Sequence, residues 1–396
     1  MLRTVSLFSG CGGLDLGIQG GFEFMGREYP KNEYELVFAN DFDNDALSTY
    51  KANSKYFNEN HLIAGDIRSV DVNLIPEFDV LFAGFPCQPF SNAGNRKGVD
   101  DDNGRGTLWE ECEKIIQHAI NDFKEKPKAF VFENVRGIMS SKMPNGKTVP
   151  NEIKDRMEQL GYNISMQLVK SSDYGVPQNR YRYLIIGVRR DLGIFDFSTM
   201  DDIVKEFSLP NVEKNPYELL LGYVLATIPE NATQVHDFWK YSPQGQKMVD
   251  MIGACVDGAE TFDKFISKVP LNEISETISQ GRSWKNINPE DLPERFKKIY
   301  DNPKKYHAPN FYRRFALGEI AGTITASAQP ENCGITHPFE NRRMSLREVA
   351  RIQSFPDDFN FPYKSINGAY KVIGNAVPPV LGWVIARALQ RHLLSK

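Results

Sequence analysis

The sequence predicts an α/β protein with a mostly parallel sheet and a smaller unit inserted late in the chain. Short runs rich in β-branched and aromatic residues recur at positions 4–8, 36–39, 80–83, 129–132 and 183–188, separated by stretches of helical periodicity. That order is what a parallel sheet with crossover helices leaves in a sequence. From about Arg190 to about Glu340 the alternation fades and Pro and Asn become frequent, and beyond it regular helical signals return. The expected organisation is therefore a core over 1–189, an inserted unit over 190–340 and a segment over 341–396 that packs back on the core.

The first run leads into Leu7-Phe8-Ser9-Gly10-Cys11-Gly12-Gly13, a strand-to-helix turn. Its glycines let a ligand approach the backbone, and the N–H groups of a helix start favour an anion. The pattern is not the GxGxxG of dinucleotide enzymes. Asp41 follows the second strand and Asp66 a third, at the strand ends where doubly wound sheets bind ligands. Carboxylates there suit ribose hydroxyls and an adenine amino group, so a nucleoside bearing a carboxylate and no phosphate, such as S-adenosylmethionine, fits. The plainer alternative is that each Asp caps a following helix.

The run at 80–83 enters Gly84-Phe85-Pro86-Cys87-Gln88-Pro89-Phe90-Ser91, which sets the Cys87 thiol at a strand end on a turn stiffened by two prolines. Most lone cysteines are small buried apolar groups, so the case for Cys87 rests on its neighbours. Thr107-x-x-Glu110 reads as a capping box opening a helix with Leu108, Cys112, Ile115, Ile116 and Ala119 on one face. The run at 129–132 ends at Glu133-Asn134-Val135, bringing a carboxyl group to the same edge, and Gln178-Asn179-Arg180-Tyr181-Arg182 introduces alternating arginines into the last core strand. Ser345-x-x-Glu348 is a second capping box, and Leu381, Val384, Ile385, Ala388 and Leu389 form a helical stripe.

Forty-seven Lys and Arg stand against 51 Asp and Glu, a net charge of −4 with pI about 6.0. Taken whole, that balance excludes a chain-wide positive field and points away from nucleic acid. Its distribution points the other way: from Arg282 to Arg314, nine cations face four anions, interleaved with Trp284, Phe296, Tyr300, Tyr306, Phe311, Tyr312 and Phe315. Such a mixture suits phosphate and groove contacts, although a charge run is commonly only a solvated face. The five cysteines are scattered without a CxxC pair, so neither a disulfide framework nor a zinc site is expected. With no leader-like start and no long unbroken apolar run, the expectation is a protein neither exported nor membrane-bound.

Taken together, LFSGCGG, the Asp41 and Asp66 positions, GFPCQPFS, RGTLWEE, FENV, QNRYR, RRMSLREVARIQSFPDDF and IGNAVPP stand in the order found in the DNA cytosine C5-methyltransferases, and the chain resembles that family over nearly its whole length outside the variable region. Ser6 departs from the family pattern, which often has Asp there, and Gly20 to Glu35 looks like an insertion. The resemblance implies an S-adenosylmethionine-dependent methyltransferase core of Rossmann-like form with an inserted target-recognition domain. It implies Cys87 as the nucleophile that adds to C6 of cytosine, Glu133 as the carboxyl group at N3, and Arg182 at O2 with Arg180 in support. It assigns Phe8, Gly10, Cys11 and Gly13 to the cofactor turn, Asp41 to the ribose, Phe42 to stacking on adenine, Asp66 and Ile67 to the adenine edge, and Pro86, Leu108, Asn375 and Ala376 to the rest of the pocket. The stretch from Pro86 to Gly106 matches the family's catalytic loop over a flipped base.

For DNA, the expected contacts are Arg96 and Lys97 in that loop, and Arg282, Lys285, Lys297, Lys298, Arg313 and Arg314 in the target-recognition region. The implied cofactor is S-adenosylmethionine, with S-adenosylhomocysteine as product and no metal. The implied setting is the bacterial cytoplasm, with a nucleoid-associated monomer acting on double-stranded DNA beside a cognate restriction endonuclease. Two other readings are a tRNA cytosine C5-methyltransferase and a DNA-binding regulator of the same fold without catalysis. The 150-position variable region weighs against the first, and the presence of Cys87, Glu133, Arg182 and the glycine turn against the second.

Overall fold

The computed structural model describes residues 1–86, 107–253, 261–271, 273, 281–302, 311–329 and 334–395. Seven strands make the central sheet: β1 (Leu2–Leu7), β2 (Tyr34–Asp41), β3 (Leu62–Ala64), β4 (Val80–Ala83), β5 (Ala129–Val135), β6 (Tyr162–Lys170) and β7 (Tyr181–Arg189). Their order is β3-β2-β1-β4-β5-β7-β6; β7 runs antiparallel to β5 and β6, and the other neighbouring pairs are parallel. The fold is thus the expected α/β class. β6 left no apolar run in the sequence because, at the sheet edge, Tyr162–Lys170 buries only Tyr162, Ile164 and Val169 among half-buried and exposed positions.

Both faces of the sheet are covered, which is why the parallel strands read as continuous apolar runs. On one face Val5, Leu7, Leu81, Ala83, Phe130 and Phe132 pack against α3 (Trp109–Asp122) and α4 (Val149–Gln159). The other face carries Val80, Phe82, Val131, Leu184 and Ile186 beneath α1 (Gly13–Gln19) and the C-terminal helix Pro379–Leu394. α1 and that last helix approach so closely that a Cβ on Gly17 would lie 2.5 Å from the Pro379 carbonyl oxygen. The expected apolar stripe from Leu381 to Leu389 is wholly buried there. Ile366–Leu394 is long and apolar enough for a membrane span by composition, but 89% of its apolar window is buried within the protein.

Two local expectations had different outcomes. Ser345 and Glu348 form a complete capping box at helix Leu346–Ile352. Thr107 does not open its helix: α3 begins at Trp109, with Leu108 at the N-cap and no side chain capping it, so the box at Thr107-x-x-Glu110 is a correction.

Beyond β7 the described residues are mainly short helices and irregular chain. Apolar packing does not divide at 190, because Phe195, Met200, Ile203, Leu221 and Val224 belong to the same cluster as the α/β core. A separate small cluster gathers Met248, Val249, Ile252, Trp284, Ile287, Leu292, Phe296, Ile299 and Tyr312. Three buried arginines tie this irregular chain to the C-terminal segment. Arg343 donates to the carbonyls of Ala328, Trp239 and Lys240, Arg347 to those of Thr233, Pro356 and Phe359, and Arg351 to Val224 O and to the Asp357 carboxylate.

Candidate active site

The C-terminal ends of β1, β2, β4, β5 and the start of antiparallel β7 lie along one edge of the sheet. There β1 ends in a turn with three left-handed residues, Phe8 (φ 57°), Gly10 (φ 57°) and Gly12 (φ 88°). A Cβ on Gly10 would meet nothing within 4 Å, so this glycine leaves an open face above the turn. Gly12 and Gly13 serve packing: a Cβ would strike the Phe57 ring in one case and lie 2.5 Å from Val377 O in the other. The lack of a side chain at Gly13 lets Ala376 and Val377 close on the turn.

The Asp41 carboxylate is nearly buried and accepts from Gly10 N and Asp43 N, both at 2.8 Å. Burial pushes its pKa up, against these two N–H groups. Phe42 beside it is 61% exposed, an aromatic face left open at the end of the strand. Asp43 caps α2 (Asn44–Ala52) and is paired with Lys371, which comes from the helix that ends at Asn375. Asn375 is exposed and Ala376 buried.

Asp66 follows the plainer alternative. It caps a short helical turn by accepting from Arg68 N, and it pairs with the Arg68 guanidinium, which holds its carboxyl below the usual range. Ile67 and Leu108 are buried together in the core beneath the edge, and Pro86 is half-buried. The Cys11 thiol is buried and pushed up to about 12 by loss of solvent, so it stays protonated.

At the β4–β5 side, Glu133 and Arg182 are both largely buried, with Glu133 Oε1 2.5 Å from Arg182 Nε. The contact is an ion pair without an aligned hydrogen bond to Oε1 among the described residues. The antiparallel register sets Leu184 opposite Glu133 and Arg182 opposite Val135, which places both charged side chains on one face. Glu133 Oε2 would be 3.5 Å from a Cβ on Gly84, and Asn134 Nδ2 donates to Phe85 O at 3.2 Å, fixing the turn that precedes Cys87. Val377 joins the two turns: its carbonyl faces Gly13, and its Cγ2 would be 3.9 Å from the same Cβ on Gly84. Cys87, Arg96 and Lys97 lie outside the described residues.

Arg180 is corrected from a catalytic group to a positioning residue. It is 2% exposed and donates to the carbonyls of Ile324, Gly374 and Ala376, holding the chain on both sides of Asn375. Arg314 is corrected more sharply. It is 0% exposed and donates to the carbonyls of His337, Glu340 and Val249, so it is an internal brace and not a phosphate contact.

Arg313 pairs with Glu319 over the Phe315 ring, and Arg282 bridges back to Arg314 and donates to Ile252 O. Lys285 and Lys298 are exposed and Lys297 half-exposed. Of the interleaved aromatics, Trp284, Phe296 and Tyr312 form the small core, while Tyr300 remains 48% exposed.

Two residues at this edge were not singled out by the sequence reading. Asn134 positions the Phe85 turn as described. Asp15 is a fully buried carboxylate within α1, and burial pushes it up to about 6 against hydrogen bonds from Ser6, Tyr50 and Ser9. A lone acid in the apolar run Leu14-Asp15-Leu16-Gly17-Ile18 was the available signal.

Comparison with known proteins identifies the family of the whole chain. The profile of the C-5 cytosine-specific DNA methylase family matches residues 2–391. Type II methyltransferase M.NgoPII of Neisseria gonorrhoeae is 33% identical, over 99% of this chain and 96% of its own length. Type II methyltransferase M.FnuDI of Fusobacterium nucleatum is 32% identical, over 100% and 96%. Among solved structures, the S. pombe Dnmt2 methyltransferase shares the fold with a TM-score of 0.54 at 16% identity, covering 98% of each chain. With a profile match spanning almost every position and relatives alignable from end to end, the chain belongs to the C-5 cytosine-specific DNA methylase family and is a DNA cytosine-5-methyltransferase of the restriction–modification type.

Proposed function

We propose that the enzyme methylates C5 of a cytosine flipped out of a specific duplex sequence, through covalent addition of Cys87, and thereby protects DNA from a cognate endonuclease. The observation that carries this reading is the buried Glu133–Arg182 pair set against the Gly84 turn that leads into Cys87. C5 of cytosine is a weak nucleophile. A thiolate at Cys87 bonds to C6 and drives an electron pair of the ring onto N3, which takes a proton from the Glu133 carboxyl group and gives it back when the ring is restored. Arg182 stabilises charge at O2 and orients Glu133 through their contact. S-adenosylmethionine supplies an electrophilic methyl group to C5. With S-adenosylhomocysteine as the departing product, a water molecule takes the C5 proton, and the freed C–H electron pair re-forms the ring double bond and expels the Cys87 thiolate.

The donor edge fits such a nucleoside. Gly10 offers an open face, Asp41 stands at the end of β2 for ribose hydroxyls, and the exposed Phe42 ring offers a stacking surface for adenine. Phe8, Cys11, Ile67, Pro86, Leu108, Asn375 and Ala376 complete the proposed pocket, and Asp66 reaches adenine by releasing one arm of its contact with Arg68. On the DNA side, Lys285, Lys297 and Lys298 are the proposed phosphate contacts in the described chain, with Arg282 and Arg313 at their margin and Arg96 and Lys97 in the loop after Cys87. The enzyme is proposed to act as a cytoplasmic monomer.

Transfer of labelled methyl from S-adenosylmethionine to duplex DNA, followed by bisulfite sequencing, tests the reading. The expected product is 5-methylcytosine in one sequence context, with Cys87→Ala abolishing transfer. A product of N4-methylcytosine or N6-methyladenine, or full activity in Cys87→Ala, would sink it.

A further inference from the structure

Phe8 is a bulky residue in the left-handed region, a strained conformation that persists only where its surroundings over-determine it. Two carboxylates flank the turn it begins. Asp41 holds Gly10 N from the β2 side. Asp15 acts from beneath, and no step of the proposed chemistry uses it.

Its Oδ1 accepts from Ser6 Oγ at 2.5 Å and its Oδ2 from Tyr50 OH at 3.1 Å. Ser9 Oγ lies 3.0 Å from Ser6 Oγ and 3.1 Å from the Ser6 carbonyl oxygen, and the Ser9 hydroxyl also reaches the Asp15 carboxylate. One side chain thus ties together the end of β1, the residue between Phe8 and Gly10, and the helix that follows Asp41. Asp15 occupies the first turn of α1, where an acid is favoured by the helix dipole. That role does not account for its position, because its oxygens turn to hydroxyls of other elements and it caps no N–H of its own helix. A carboxylate buried completely is costly unless its acceptors are filled, so its place here fixes several donors at once.

We infer that Asp15 is the positioning residue that holds the Phe8-Ser9-Gly10 turn open for the methyl donor, an inference that rests on reading this turn as the donor site. The carboxylate is what matters, and the position it comes from is secondary. Ser6 Oγ is near enough to Asp15 Oδ1 that a carboxylate carried by residue 6 would enter the same hydroxyl cluster.

The test uses the full chain, with S-adenosylhomocysteine titrated by calorimetry and folding followed by circular dichroism. Asp15→Ser is expected to weaken binding by about tenfold, the order expected from losing hydrogen bonds to a charged group. Ser6→Asp alone, which crowds two carboxylates into one dry space, is also expected to weaken it. The double variant Ser6→Asp/Asp15→Ser is expected to recover most of the affinity. Wild-type affinity in Asp15→Ser, or a double variant that regains thermal stability without regaining affinity, overturns the inference. If Asp15→Ser does not fold, Tyr50→Phe and Ser6→Ala each remove one hydroxyl and leave the carboxylate, and unchanged affinity in both overturns it equally. Failure of the wild-type protein to bind S-adenosylhomocysteine would instead overturn the reading of the turn itself.

Discussion

The donor edge and the region beyond Val224 are held in place by opposite chemistry. At the edge, short acids accept from backbone N–H groups: Asp41 from Gly10 and Asp43, and Asp43 from Asp45 and Ala46. Beyond Val224, long arginines donate to backbone carbonyls, as Arg314, Arg343, Arg347 and Arg351 do. The difference follows from what the backbone lacks in each place. Strands satisfy one another at the edge, and only the turns leave N–H groups for a nearby acid. In the irregular region carbonyls are left over, and a five-donor guanidinium on a long arm can reach several at once. Short acceptors fix angles where chemistry is proposed to occur; long donors fix distances where a variable surface must be supported.

The strongest way to break this contrast is at a buried pair of short acid and long arginine on the sheet edge, Glu133–Arg182. Glu133→Ala and Arg182→Ala should each lower methyl transfer by about 10²–10⁴-fold, and should destabilise the fold by about 3–5 kcal/mol because the partner charge is left buried. Near-wild-type turnover per folded molecule in either variant would break the proposal that the pair serves the reaction. Arg347→Met comes next. Stranding the carbonyls of Thr233, Pro356 and Phe359 should cost about 3 kcal/mol or more in denaturant unfolding, while affinity for S-adenosylhomocysteine stays as it was. A parallel loss of that affinity would mean the two regions are not independently secured.

Smaller effects separate brace from contact within the basic stretch. Charge reversal at Lys297 and Lys298 should weaken DNA binding about tenfold at moderate salt and lower the log–log salt slope by about 2, across target and non-target sequences alike. Arg314→Gln should reduce stability and leave the salt slope of the folded protein unchanged. An equal drop in slope would restore Arg314 as a phosphate contact.

The smallest effect concerns pH. Burial raises Asp15 in the folded state to about 6, from an ordinary 3.8, with Asp41 adding like charge and hydrogen bonds from Ser6, Tyr50 and Ser9 opposing the rise. The folded protein therefore binds this proton more tightly than the unfolded chain, so the stability linked to it is present at about pH 4 and is lost as pH rises to about 6. Measured as the difference between wild type and Asp15→Asn, that loss should amount to about 1–3 kcal/mol over this window and level off above it. A flat difference would show Asp15 unperturbed by its burial.

Much of the donor edge was legible because strand ends, glycines and acids follow one another locally in the chain. Asp41, Phe42 and Glu133 stand where the strand pattern put them. What was not legible depended on which distant groups arrive. Nothing near Arg314 in sequence announces the carbonyls of Val249, His337 and Glu340, and Trp284, Phe296 and Tyr312 carry no local mark of the partners that bury them. Nor does anything near Gly13 in sequence announce Val377, which comes from the far side of the inserted region.

That last contact gives the enzyme a sense of time. Val377 floors the space between the Gly13 and Gly84 turns, and Lys371 holds Asp43 from the same segment, so the donor edge is incomplete until this stretch of chain has been made. During synthesis the β1–β5 strands can pair early, while the pocket must wait for contacts of very long sequence separation, the slowest to form. On the proposed reading of this edge, a nascent chain is expected to be inert, and a truncated one to stay inert, whichever catalytic groups it already carries.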